Sequence, residues 1–82
     1  MNKTILIPGI GGPTPRSIAR AIRATFPKYK IIGIDANPKA LGFFMPGLID
    51  KAFHAPKVTE AGYWPFIQKL IKDENIDIAF VQ

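Results

Sequence analysis

The residues best suited to chemistry lie in a glycine-rich turn near the start of the chain. Gly9, Gly11 and Gly12 follow an apolar run at residues 5–7, and a helical pattern begins directly after them. Glycine lets the backbone turn sharply or approach another group closely, and free N–H groups at a helix N-terminus attract anions. The order of a strand, a bare loop and a helix is typical of the first half of a nucleotide-binding α/β unit.

The dinucleotide-binding fingerprint G-x-G-x-x-G is only half present. Counted from Gly9, Gly11 is in place, but Thr14 stands where the third glycine belongs. The spacing G-x-x-G-x-x-G takes Gly9 and Gly12 and then meets Pro15. Two interpretations therefore stay open, a ligand cradle and a tight turn that only connects a strand to a helix.

The helix after this loop is predicted from about Pro15 to Thr25 or Phe26. Thr14 is expected to cap it through its hydroxyl, with Pro15 at the first helical position, where a missing N–H costs nothing. Apolar residues recur at helical spacing inside it, and Pro27 ends it. Arg16 lies in the first turn, beside the glycine loop.

Two polar residues follow the next apolar strand, residues 31–34. In open parallel sheets, ligands bind outside the carboxyl ends of the strands, so Asp35 and Asn37 are expected on the same edge as the glycine loop. Asp35 also lies about 20 residues beyond the loop, where an acid that binds ribose falls in dinucleotide domains. The alternative is that Asp35 and Asn37 only form a turn with Pro38, by bonding their own backbone.

Composition and charge limit the possible classes of protein. The chain has 82 residues, no cysteine and a net charge of +5. Its length fits one small domain, and the absence of cysteine excludes disulfides, a thiol nucleophile and cysteine-ligated metal. No apolar run is long enough to span a membrane, and a cytoplasmic protein is expected. The charge excess sits mainly in residues 16–39 without a basic run, which argues for a solvated helix face rather than nucleic-acid binding.

The rest of the chain alternates strands and helices. Short strands are predicted at residues 51–56 and 77–81, with a helix at residues 62–74 that Asn75 closes. The pattern predicts an α/β fold, a small Rossmann-like parallel sheet of about four strands with helices on both faces.

Two further features have alternative interpretations. Phe43, Phe44 and Met45 lie in an irregular segment, and they either tuck under the domain or form a patch for another domain or another copy of the chain. His54 is the single histidine. With no metal-ligand spacing around it, it is interpreted as a strand histidine with a satisfied hydrogen bond.

Taken together, these segments resemble the N-terminal, preATP-grasp domain of ATP-grasp ligases, particularly those similar to the carbamoyl-phosphate synthase large subunit. The resemblance rests on four segments in the expected order: residues 5–13 (ILIPGIGGP), 32–38 (IGIDANP), 50–57 (DKAFHAPK) and 76–81 (IDIAFV). It covers essentially the whole chain.

The resemblance implies a function for a larger protein. Members of the family join a carboxylate to an amine or ammonia through an acyl-phosphate, using ATP and magnesium, and their first domain forms a wall of the substrate site. The ATP- and metal-binding residues lie in a downstream ATP-grasp domain, so the resemblance implies no catalytic residue, cofactor or metal in this chain. It implies a small-molecule carboxylate as substrate and a contact with the missing domain through Phe43, Phe44 and Met45. The ligand-lining residues it implies are Gly9, Gly11, Gly12, Thr14, Asp35 and Asn37.

Two other classes of function stay open. The chain could be an NAD(P)-binding module of a reductase or epimerase, with Asp35 on the ribose. It could also be a free-standing interaction module that uses the Phe43–Met45 segment and its positive charge.

Overall fold

Strand β1, Thr4–Pro8, lies inside the sheet, since its consecutive apolar residues suit burial on both faces. It pairs in parallel with β2, Lys30–Asp35, on one side and with β4, Ile78–Ala79, on the other. The remaining strand, β3 (Lys51–His54), pairs with β2, which gives the order β3-β2-β1-β4. These elements come from a computed structural model that describes residues 2–80.

One helix covers each face of this sheet. Helix α1, Pro13–Thr25, packs on the face that carries Ile5 and Ile7, whereas α2, Tyr63–Asp73, packs on the face that carries Leu6 and Ile32. Alternate residues of a strand point to opposite faces, so one apolar run supplies both layers. The predicted α/β fold, a parallel sheet with helices on both faces, is confirmed.

Helix α1 begins earlier than predicted. Gly12 is its N-cap with extended backbone (φ −82°, ψ 158°), Pro13 takes the first helical position, and no side chain caps the helix. The prediction that Thr14 caps the helix is wrong, because a proline directly after the glycines has a fixed φ that already suits the first turn. Thr14 is instead an exposed residue inside that turn.

The other boundaries differ by a few residues. Strand β3 stops at His54 rather than at Pro56, and the ladder of β4 is limited to Ile78 and Ala79; Val81 of the predicted strand lies outside the described residues. Asn75 directly follows the C-cap of α2 with a positive φ of 53°, as expected for a residue that closes a helix.

An irregular segment connects β2 to β3 and is fixed on the core at a short 3-10 helix, Leu41–Phe44. Gly42 is buried there, and a Cβ added to it would lie 2.3 Å from the carbonyl oxygen of Ile10. Only a residue without a side chain allows this close approach between two backbones.

Replacing Gly42 with alanine is expected to destabilise the protein by about 1–3 kcal/mol or more, because the methyl group must displace backbone. Gly62→Ala is the matched control, since nothing lies within 4 Å of an added Cβ and its φ is −77°. It should change the free energy of unfolding by less than about 1 kcal/mol. Urea unfolding of both variants measures the difference. Equal losses of unfolding free energy in the two variants would contradict the close packing of Gly42 on Ile10.

Arg23 and Asp50 join α1 to the start of β2 and β3. Arg23 donates to the carbonyl oxygens of Tyr29 and Leu48, at 3.1 and 3.3 Å, and to Asp50 Oδ2 at 2.9 Å. The same carboxylate oxygen accepts the Ile31 N–H at 2.7 Å. Partial burial by itself raises the pKa of Asp50, but the hydrogen bonds from Ile31 and Arg23 and the charges of Arg23 and Lys30 outweigh it and lower that pKa.

A second carboxyl group with a lowered pKa, that of Glu74, lies near the end of α2. The hydrogen bond from Lys51 Nζ, at 2.9 Å, is the largest cause that lowers the pKa of Glu74; the charges of Lys51 and Lys30 act in the same direction, and partial desolvation opposes them. Both carboxylates therefore stabilise the fold in their ionised form.

Stability is expected to fall with acid. Because both pKa values are lower in the folded state than in the unfolded chain, the unfolded chain binds more protons once the pH drops below about 5. The stabilisation is complete above the unfolded-state pKa values and is lost as the pH falls through the folded-state values. Urea unfolding from about pH 6 to pH 3 should show a steeper loss for the wild type than for Asp50→Asn. Parallel profiles would contradict a role for Asp50.

Candidate ligand site at the carboxyl edge of the sheet

The carboxyl ends of β1, β2 and β3 meet at one edge of the sheet, where ligands bind in open parallel sheets. Three chain segments leave the sheet there: the glycine loop at residues 9–12, the turn at residues 35–38 and the exit of β3 at residues 54–57. These are parts of three of the segments on which the family resemblance rests.

The Asp35 carboxylate connects the glycine loop to the turn at residues 35–38 through hydrogen bonds. Its Oδ2 accepts the Gly11 N–H at 2.9 Å, and its Oδ1 accepts the Asn37 N–H at 2.9 Å. Each oxygen of the carboxylate thus holds backbone from a different segment. Asp35 positions the glycine loop, which is a role that the sequence interpretation did not include.

Two of the three glycines of this loop are required by local geometry. Gly9 has a φ of 66°, a conformation that L side chains rarely adopt, and its carbonyl oxygen accepts the Gly12 N–H at 2.9 Å. A Cβ on Gly11 would lie 2.9 Å from the Cβ of Ala40 and 3.0 Å from Asp35 Oδ2. The turn therefore needs Gly9 and Gly11 even without a ligand, whereas a Cβ on Gly12 would make ordinary contacts of 3.4 Å.

Asn37 and Thr14 are both exposed. Asn37 Oδ1 accepts the Lys39 N–H at 3.0 Å, which forms an Asx turn of the kind that asparagine and aspartate favour. Neither residue lines a depression among the described residues around this edge.

The His54 side chain connects the exit of β3 to the turn at residues 35–38 through a hydrogen bond. Its Nε2 lies 2.7 Å from the Ala36 carbonyl oxygen, an acceptor, so Nε2 carries the proton and donates. The interpretation of His54 as a strand histidine with a satisfied hydrogen bond is confirmed. Within residues 2–80, no group of three or more His, Cys, Asp or Glu side chains is placed to hold a metal ion.

Two adjoining depressions open at this edge, on the face covered by α2. The inner one has a volume of about 130 Å³ and includes Gly9, Asp35 and Tyr63 in its wall. The outer one has a volume of about 510 Å³ and is bordered by His54, Lys57 and other residues. The two share Ala36, Ala55 and Pro56.

Of the predicted ligand-lining residues, only Gly9 and Asp35 line the inner depression. The structure adds three residues with polar groups that sequence reasoning missed. Tyr63 is the first residue of α2, and Lys57 and Glu60 lie in the preceding turn, where the Lys57 N–H donates to Glu60 Oε1 at 3.1 Å. In the sequence, these three residues are marked only by their position after the carboxyl end of a predicted strand.

Comparison of the chain with family models and with curated protein sequences found no match. Among residues 2–80, the structure has no helix with the length and apolar character needed to cross a lipid bilayer.

Replacing Asp35 with asparagine tests whether the carboxylate holds the glycine loop. An asparagine side chain offers one carbonyl oxygen, so one of the two backbone N–H groups loses its acceptor, and a loss of about 1–3 kcal/mol in unfolding free energy is expected. Asp73→Asn is the control, because the Asp73 carboxylate forms an exposed ion pair with Lys69 at 3.6 Å, and such pairs contribute little to stability. Equal stability of the two variants in urea unfolding would contradict the role of Asp35.

Proposed function

We propose that this chain is the N-terminal, substrate-side domain of an ATP-dependent ligase that joins a carboxylate to an amine or ammonia. The observation that supports this most strongly is the convergence of three resemblance segments at one edge of the sheet. Hydrogen bonds from Gly11 to Asp35 and from His54 to Ala36 hold these segments against one another.

The proposed role is to bind and orient substrate rather than to catalyse. Gly9, Gly11, Gly12, Thr14, Asp35 and Asn37 form or flank the wall that would face a small carboxylate substrate. ATP and magnesium would bind to a downstream ATP-grasp domain, and the reaction would take place in the cytoplasm.

The proposed contact with that domain involves fewer exposed side chains than the sequence analysis predicted. Phe43 and Met45 are partly buried and pack against the core beside α1, whereas Phe44 is 67% exposed. Of the three residues expected to meet a partner, Phe44 is therefore the one whose side chain is most available.

The first test is the mass of the native protein, detected in its source cell with an antibody to this domain. A product several times larger is expected. The purified product should form ADP from MgATP only when a carboxylate and an amine or ammonia are both supplied. A native product of the size of this chain, or a large product without such activity, would contradict the proposal.

A variant of the native product tests the glycine loop itself. Gly12→Ala adds a methyl group that the fold accommodates, so KM for the carboxylate is expected to rise by about tenfold or more while folding is preserved. Gly62→Ala, at the start of α2, is the control and should leave KM unchanged. An unchanged KM in Gly12→Ala would show that the loop is not part of the substrate site.

The NAD(P)-binding alternative is tested by calorimetric titration of the chain with NAD and NADP. No binding is expected under the ligase proposal. Saturable binding that Asp35→Ala weakens, in a variant shown by circular dichroism to be folded, would favour the dinucleotide module instead.

A further inference from the structure

The positive charge of the protein is concentrated in one part of the chain. Residues 13–48 contain six Lys and Arg residues and one acid, whereas the rest of the chain contains five Lys and Arg residues and five acids. The whole net charge of +5 therefore belongs to α1, β2 and the segment that follows β2.

Helix α1 presents three of these charges in one row. Arg16, Arg20 and Arg23 recur at spacings of four and three residues, which places them on the same side of the helix. Arg23 is neutralised by Asp50, and Arg16 Nε donates to the Gly12 carbonyl oxygen at 3.1 Å. Neither Arg16 nor Arg20 has an acidic partner within residues 2–80.

The 3-10 helix Leu41–Phe44 has two exposed apolar side chains. Leu41 is 52% exposed and Phe44 is 67% exposed. Side chains three residues apart are eclipsed in a 3-10 helix, so both lie on the same side. The segment is held rigidly, because Gly42 packs on the backbone of Ile10 while Phe43 packs against the core.

The residues on either side of the 3-10 helix border the two ends of the arginine row. At one end, Ala40 packs against Gly11, next to Gly12, whose carbonyl oxygen binds Arg16. At the other end, Arg20 and Arg23 form a cleft of about 190 Å³ with residues 45–48. We call Arg16, Arg20, Leu41 and Phe44 the basic-apolar surface.

We propose that the basic-apolar surface binds an acidic amphipathic segment of another polypeptide. Arginine and aromatic side chains, phenylalanine included, are enriched in protein interfaces, and a basic surface selects partners of opposite charge. Leu41 and Phe44 would bind the apolar side of the segment, and Arg16 and Arg20 would pair with its carboxylates. This inference does not rest on the proposed ligase function, because the surface lies on α1 and the 3-10 helix rather than in the depressions at the carboxyl edge. It gives Phe44 a different partner from the downstream domain of that proposal.

A second exposed apolar region lies beside strand β4. Trp64, Ile78 and Phe80 are 54%, 41% and 38% exposed, and Trp64 and Phe80 border an apolar cleft beside β4. Among residues 2–80, no charged side chain lines that cleft, so its chemistry does not select an acidic partner. It provides a matched control for the basic-apolar surface.

The experiment selects peptides from a random library displayed on phage, with peptides about four helical turns long, against the chain. The selected peptides are expected to contain several acidic residues together with apolar residues spaced three or four apart. Their affinity is then measured by fluorescence anisotropy. The NMR amide shifts of the wild-type protein on peptide addition should change at residues 16–23 and 41–48.

Two double variants test the surface. Leu41→Ser with Phe44→Ser, and Arg16→Glu with Arg20→Glu, should each weaken binding by about tenfold or more. Trp64→Ser with Lys69→Glu is the control on α2 and should change the affinity by less than about twofold, a difference too small for a hot spot. Circular dichroism establishes that each variant is folded.

Three results would overturn the proposal. One is a selection that yields no peptide or only peptides without acidic residues. Another is loss of binding in the Trp64 and Lys69 variant with full binding in the other two. The third is that single-stranded oligonucleotides bind the chain and displace the peptides, which would make the surface a nucleic-acid site.

Discussion

The position of the glycine loop depends on the complete burial of Ile10. This residue lies in the middle of the loop, yet its side chain is 0% exposed and its N–H donates to the Ile34 carbonyl oxygen at 3.1 Å. Gly33 and Gly42 lack side chains where Ile10 packs against them. A loop whose central side chain belongs to the core has little freedom, since core side chains are packed at high density. The candidate site is therefore rigid on one side.

The same packing explains why the segment after β2 can display apolar side chains. Gly42 and Phe43 secure the 3-10 helix to the core, so Leu41 and Phe44 stay exposed without the segment becoming loose. Exposed apolar side chains on a rigid support lose little conformational entropy when they bind a partner. The site edge and the basic-apolar surface thus share one anchoring residue, Ile10.

The function of Asp35 illustrates how one residue supports two interpretations. Its distance along the chain fits a ribose-binding acid, and its place after a strand fits a turn. In the structure it accepts one N–H from Gly11 and one from Asn37, so it stabilises both the loop and the turn. A carboxylate that accepts two hydrogen bonds still has lone pairs for a ligand, so this structural role and a binding role are compatible.

The sequence by itself determined the alternation of strands and helices and the edge at which the polar residues gather. These follow from local rules: unbroken apolar runs predict strands buried on both faces, and parallel strands bring their carboxyl ends together. It also predicted the satisfied hydrogen bond of His54. Only the tertiary structure decided the division of Phe43 and Phe44 between core and surface, and the place of Tyr63 with Gly9 in the wall of the inner depression. Those outcomes depend on contacts between residues distant along the chain, such as Gly42 with Ile10 and Gly11 with Ala40, for which local spacing contains no signal.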